Sequence, residues 1–415
     1  MNIKKSLVWV LLFLASFGCE KSGDPEINDN PPILRELSDG EISLIASSNE
    51  FVFDLFGEIN TRESGGNFFF SPLSVEYALG MTLNGAGEDT REAIRRVLGN
   101  ESLNEEGINA SYETLTEFLL GIDKTVLLKI ANSVWYRHDL TVKEAFKDAV
   151  QIHYDAEVAG LDFSLPSAKD EINGWVSGKT EGLIRDLIDG IPADAVMYLI
   201  NAIYFKADWQ YKFDKSLTDL SSFYLEDGNM TEIEMMTSDG AEINYFSNDY
   251  LRLVDIPYGN GQYSMILLVP VPEHSLEEIT GSLDNASFTQ WISSTTPGKS
   301  RLTMPKFRIK YKTLLNDDLS NMGMGIAFSS EADFSRLFEN PLELMISRVI
   351  HQAVIEVNEE GSEAAAATAV EIVETSLPPE PDIIIINRPF IFLIREKHSG
   401  TILFAGKLTD PDQLD

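Results

Sequence analysis

Five histidines, at positions 138, 153, 274, 351 and 398, and one cysteine, Cys19, are the side chains of this 415-residue chain best suited to acid–base, nucleophilic or metal-assisted chemistry. A zinc hydrolase of the common kind carries two histidines one helical turn apart in HExxH, and none of the five stands in such a motif. The nucleophile elbow GxSxG is missing as well. Gly298-Lys299-Ser300 has the form of the end of a phosphate-binding loop, but Ser293 occupies the place of its first glycine. Gly259 and Gly261 open a GxG whose third glycine position is Ser264, so the dinucleotide fingerprint fails too. No local motif fixes a catalytic group. The chain reads as a non-enzyme with no metal or cofactor.

The unusual stretch is Glu356–Pro379, EVNEEGSEAAAATAVEIVETSLPP. Ala364–Ala367 have the highest helix propensity of any residue. Read at period two, the segment is instead a strand with one clean face: Ser362, Ala364, Ala366, Thr368, Val370 and Ile372 are small or apolar. Glu363 and Glu371 share the opposite parity. Pro378 and Pro379 then stop regular structure. An exposed Ala-rich helix or linker and a strand with two states both remain open from these residues alone.

Acidic residues outnumber basic ones 66 to 32, giving a net charge of −34. Phosphate backbones and anionic lipid surfaces need the opposite sign, so nucleic acid and direct headgroup adhesion are excluded as partners. Lys4 and Lys5 precede an apolar run from Leu7 to Phe17, too short to span a bilayer and shaped as a secretory signal. Ser16-Phe17-Gly18-Cys19 resembles a bacterial lipobox, in which Cys19 is lipidated and becomes the N-terminus. Ordinary cleavage after Gly18 is the alternative and leaves a free thiol. The expected organisation is a signal peptide (1–18), an anchor cysteine with a polar, Pro-containing tether (19–32) and one domain (33–415). Membrane attachment is expected through Cys19 alone, on a protein facing the periplasm or the cell exterior.

The elements that must position the Ala-rich stretch are mixed in order. Helical apolar spacing covers 42–60, 88–98, 103–120, 143–153, 168–177, 276–283, 286–292 and 312–322. Ser71-Pro72 is a strong helix start, and that helix runs to about Asn84. Strand patterns cover 68–70, 125–136, 157–163, 223–225, 231–236, 243–246, 251–256, 263–269, 301–310, 350–357, 382–386, 390–394 and 402–404. The apolar run 195–205 is predicted as a strand buried on both faces. Gly228, Gly240 and Gly259–Gly261 are predicted turns. Interspersed elements of both kinds point to an α+β domain.

Five separated motifs give this order a family. Asn67-Phe68-Phe69-Phe70-Ser71-Pro72-Leu73-Ser74 resembles the NxxxSPxS segment of the serpins, and Asn132 in ANSVWY is similar to their IANxLF. Asn201–Phe205 with Trp209 and Phe213 resembles NAxYFKGxWxxxF, with Ala207 in place of the motif glycine. His351 with Glu359-Glu360-Gly361-Ser362-Glu363-Ala364-Ala365-Ala366-Ala367-Thr368 is similar to the strand and hinge of the reactive loop. Asn387-Arg388-Pro389-Phe390 and Phe404-Ala405-Gly406-Lys407 resemble the C-terminal signature.

The resemblance implies the serpin fold: helices around three β-sheets, with an exposed reactive-centre loop that can enter the main sheet as a new strand. It implies a shutter of buried polar residues, Ser71, Ser74, Asn201 and His351, and a breach at Trp209. Counting from Gly361 places the reactive bond at Thr375-Ser376; Glu374 and Val373 are the alternative positions, with Ala369 further back. The implied partner is a serine endopeptidase held in a covalent acyl-enzyme complex with one copy of this chain, a cysteine protease being the second candidate. A non-inhibitory binding or carrier role is the alternative. Between Arg348 and Arg388 there is no Lys or Arg, so a trypsin-like pocket has nothing to hold. Thr375 suits the small, shallow pocket of an elastase- or subtilisin-like enzyme, and a one-residue shift would offer Glu374 to a glutamate-preferring one. After reaction with an elastase, mass spectrometry of the denatured products is expected to find a C-terminal peptide beginning at Ser376; a different first residue relocates the bond.

Overall fold

Ser38 opens the first helix with a capping box. Its hydroxyl accepts from the Glu41 N–H at 3.2 Å while the Glu41 carboxylate accepts from the Ser38 N–H at 2.8 Å. In the computed structural model, which describes residues 32–340, 343–362 and 382–412, this helix α1 (Asp39–Arg62) leads to β1 (Phe68–Phe70) and α2 (Pro72–Gly85). Ser71 caps α2, accepting the Ser74 N–H at 3.1 Å, and Pro72 stands at its first turn. All residues of α2 except Ala78 are buried, so this helix passes through the middle of the molecule. Around it lie α3 (Glu88–Val97), α4 (Glu105–Gly121), β2 (Leu127–Arg137), α5 (Glu144–Tyr154), β3 (Glu157–Leu161), α6 (Pro166–Lys179) and β4 (Met197–Asp208).

The second half is strand-rich: β5 (Asp214–Tyr224), β6 (Met230–Ser247), β7 (Leu251–Pro257) and β8 (Tyr263–Pro270) come first. Short helices α7 (Leu276–Thr280) and α8 (Asn285–Ser293) precede β9 (Thr296–Pro305) and β10 (Phe307–Leu314). A helical segment, α9 (Asn316–Leu319) continued by a π turn (Ser320–Met324) and a 3-10 turn (Gly325–Phe328), stands between these and β11 (Ile350–Val357), β12 (Gly361–Ser362), β13 (Asp382–Ile385), β14 (Phe390–Glu396) and β15 (Ile402–Leu408).

One sheet has six strands in the order β10-β11-β12-β4-β2-β3. The other strands run β1-β15-β14-β8-β7-β6-β9-β13, with β5 also on β6. A register shift in β6 between Ser238 and Ala241 lies inside this second set, which is one nine-stranded sheet. Phe69 of β1 stacks on Phe392 and Phe404, with ring centroids 5.7 and 5.2 Å apart, tying β1 to β14 and β15.

Three local expectations are corrected. Gly240, at φ 78°, sits at the shift inside one continuous strand and makes no turn between two. The 301–310 strand is two, β9 and β10, broken at Lys306 after Pro305. The helix expected from 312 begins only at Asn316, because Lys312, Thr313 and Leu314 continue the β10 ladder opposite Gln352, His351 and Ile350. Burial in β4 also differs from expectation, since buried residues alternate with half-buried ones. Phe205 and Ala207 belong to the main core, and Ile200 to a separate core under α6 with Trp135, Ile172 and Val176.

Candidate functional site

The half-buried residues of β4 border a gap. β4 and β11 run in the same direction, and β12 lies antiparallel between them. β12 has only two residues: Gly361 and Ser362 pair with Asp208 and Ala207 of β4, and Ser362 with Val357 of β11. Beyond Ser362, no ladder among the described residues joins β4 to β11. The space holds a cavity of about 380 Å³, walled by Asn201, Ile203 and Phe205 on one side and His351, Ala353 and Ile355 on the other.

The top of the gap is held by backbone, ring and charge contacts. The Trp209 N–H donates to the Glu360 carbonyl at 2.8 Å, its indole N–H to the Asn358 carbonyl at 2.9 Å, and the Phe213 N–H to the Glu359 carbonyl at 3.0 Å. Trp209 stacks on Tyr258 at 4.3 Å, and the Tyr258 hydroxyl lies 2.6 Å from that of Ser362. Gly361 approaches β4 so closely that a Cβ would stand 2.0 Å from the Ala207 carbonyl oxygen. Glu359 and Glu360 are buried, each with charged partners. Glu360 meets Lys212 and Lys215, both at 2.8 Å, and those cations hold its carboxyl below the usual range. Burial pushes Glu359 up, but a backbone N–H, the Thr218 hydroxyl at 2.8 Å and Lys306 at 3.3 Å outweigh it and leave the carboxyl low.

Lower down, the polar residues gather at the start of α2. The Ser71 N–H donates to His351 Nε2 at 3.1 Å, while the Ser71 hydroxyl donates to the Leu403 carbonyl at 2.8 Å. The Ser74 hydroxyl donates to the Asn201 carbonyl at 3.4 Å. The Asn201 amide donates to Asn132 Oδ1 at 2.8 Å, and Asn132 in turn to the Tyr154 carbonyl at 2.7 Å. His351 and Asn201 face each other across the gap without bonding. Asn201 Oδ1 and Gln352 Oε1 are buried without partners. His351 receives a backbone proton, not a serine hydroxyl, so this is no nucleophile–base pair.

The structure thus brings Ser71, Ser74, Asn201 and His351 together and seats Glu359, Glu360, Gly361, Ser362 and Trp209 at the head of the gap. Glu363–Thr368, Val373, Glu374, Thr375, Ser376 and Cys19 lie outside the described residues. Sequence reasoning missed Lys212, Lys215, Lys306, Thr218, Tyr258 and Asn132. The lysines come from β10's approach and the chain after β4, so no local spacing could reveal them; Asn132 stood inside a quoted motif. His153 and His274 pair separately with Glu113 and Glu278, at 2.7 and 2.6 Å. Among the described residues no group of His, Cys, Asp and Glu could hold a metal, and no helix is long and apolar enough to cross a membrane.

With this geometry in place, comparison with known proteins is direct. A family model described as serpin (serine protease inhibitor) matches residues 46–411. The chain belongs to the serpin family. It is 34% identical over 426 residues to an uncharacterized serpin-like protein of Methanosarcina acetivorans, with 99% of each chain covered. It is 33% identical over 393 residues to human serpin B11, covering 89% of this chain and 100% of that one. The native-state structure of the thermophilic serpin tengpin aligns with a TM-score of 0.81 at 30% identity, over 92% of this chain and 97% of that one. Human thyroxine-binding globulin aligns with the same score at 29% identity, over 90% and 99%.

Burial pushes the His351 imidazole down from 6.5 to about 4. The unfolded chain therefore takes up this proton first. The stability due to neutral His351 is complete above pH 6.5 and is lost as pH falls through about 4, by up to roughly 1.4 kcal/mol per pH unit. Buried Glu76, raised by burial from 4.5 to about 8, acts in the opposite direction, losing its contribution as pH rises from 4.5 through about 8. Denaturant titrations from pH 7 to 4 are expected to show a shallower acid loss in His351→Asn; an unchanged slope places the proton elsewhere.

Proposed function

We propose that this protein is an inhibitory serpin, a suicide substrate of serine endopeptidases. The observation that carries the reading is β12, a two-residue strand already seated in the gap and antiparallel to both neighbours. Extending its ladder sets Ala364 opposite Phe205 and Ile355, Ala366 opposite Ile203 and Ala353, and Thr368 opposite Asn201 and His351. The small residues of the loop then meet the main core, to which Phe205, Ala353 and Ile355 belong. On the other face the same register sets Glu363 between Lys206 of β4 and Glu356 of β11, and Glu371 beside Arg348. The small, uncharged parity of the Ala-rich stretch supports this alignment.

The reaction follows from that alignment. A protease attacks the Thr375 carbonyl, its serine forms an ester there, and the Ser376 amine leaves as a new N-terminus. Freed at that bond, the loop fills the gap from Gly361 downward. Fifteen residues at ~3.3 Å each would carry the ester roughly 50 Å. The outcome is a race between insertion and hydrolysis, so rates decide it and equilibrium affinity does not. Shutter roles for Ser71, Ser74, Asn201 and His351 and a breach role for Trp209 belong to this reading: the first group borders the path, the last its entrance. Thr375 points to elastase- or subtilisin-like targets, and the lipobox-like N-terminus to an exported bacterial lipoprotein that meets them at a membrane surface.

A carrier role is the second reading, favoured by the likeness to thyroxine-binding globulin. Incubation with elastase or subtilisin separates the two. An SDS-stable complex with raised thermal stability of the cleaved chain supports inhibition; cleavage without complex supports the carrier. Ala364→Arg would bury an unpaired charge against Phe205 and Ile355, at a cost of about 3–5 kcal/mol. It is expected to slow insertion by roughly two to four powers of ten, so that gels show cleaved chain and free protease in place of complex. Complexes as abundant as wild type would sink the insertion argument.

A further inference from the structure

We propose that the outward face of β13, formed by Ile383 and Ile385, is a second contact surface for the target protease, outside the cleft that takes the reactive bond. The proposal rests on the inhibitory reading above. Ile384 is 5% exposed and stands opposite Leu302, whereas Ile383 is 71% and Ile385 47% exposed. Among the described residues β13 pairs only with β9, so it is an edge strand. Proteins usually guard such edges with charges, and two bare isoleucines in that position mark a surface made to be covered. Arg301 of β9, itself exposed, lies opposite Ile383 and extends the strip with its apolar stem and one cation.

Chain connectivity identifies the occupant. Ile383 is seven residues beyond Ser376, so the two lie within roughly 25 Å even along a fully extended chain. A protease domain of about 220 residues has a radius of gyration near 17 Å. Its body, held over the Thr375-Ser376 bond, spreads across that distance. Three of the six intervening residues are proline, Pro378, Pro379 and Pro381, a composition typical of short, stiff spacers. The strip therefore continues the proposed contact with the protease.

The test compares the full chain with Ile383→Ser/Ile385→Ser, Ile384 being kept, and with the single variant Ile383→Ser, using pancreatic elastase and subtilisin as probes. The second-order rate of complex formation is expected to fall about tenfold in the double variant and less in the single one, with stoichiometry of inhibition and unfolding midpoint unchanged. A wild-type rate in the double variant overturns the proposal and leaves the inhibitory reading standing. A changed stoichiometry assigns the isoleucines to loop insertion and overturns it as well. So does light scattering that finds a wild-type dimer lost in the variant, which gives the face to a second copy. A wild-type chain that forms no complex with either probe removes the inhibitory reading and this surface with it.

Discussion

The strand position between β4 and β11, which no described residue occupies beyond Ser362, is the constraint on which the rest of the structure depends. Backbone N–H and C=O groups inside a protein need partners, and a sheet interrupted in its middle leaves two rows of them facing a gap. Two arrangements can satisfy both rows: the strands close on each other as parallel neighbours, or a strand antiparallel to both enters between them. Gly361 and Ser362 have begun the second. The chain directly after Ser362 is the natural source of the missing strand, and its composition suits the two environments that the strand would have to meet.

The gap is bordered by different chemistry at its head and further down. At the head, Glu359 and Glu360 are fastened to three lysines and a threonine, and Trp209 grips the turn through backbone and indole together. Further down, Asn201 and His351 border the gap: the Asn201 amide donates to Asn132, His351 accepts from the Ser71 N–H, and Asn201 Oδ1 is buried without a partner. Because the head is ionic and the middle is a neutral imidazole among hydroxyls and amides, the two regions answer to different conditions. Salt acts on the first more than on the second, whose groups are buried.

Much of this was legible in the residues because it is written in local chemistry. Ser71-Pro72 announced α2 by capping and by the missing N–H of proline, and Phe68–Phe70 read as a strand from composition alone. The small, uncharged parity of the Ala-rich stretch was visible at period two; of that stretch only Gly361 and Ser362 have a register with β4 and β11 among the described residues. Other features depended on chain segments meeting in space. Gly240 gave the same signal for a bulge as for a turn. Lys312–Leu314 looked helical until β11 supplied a ladder. The apolar run of β4 resembled a strand buried on both faces, where one side in fact meets the gap and the cover of α6. The lysines around Glu359 and Glu360 left no trace in any window of sequence, since a salt bridge between distant segments has no period.

The place of the last strands carries one more consequence. β14 and β15 lie inside the nine-stranded set, between β8 and β1, and β13 closes its other end. A cut anywhere between residues 363 and 381 severs the covalent chain but removes no described strand from its sheet. The two pieces would remain one particle, sharing a core that includes Phe390, Phe392 and Phe404. A chain cut there would be in effect a heterodimer made from a single chain, whose shorter member cannot leave without unfolding the longer.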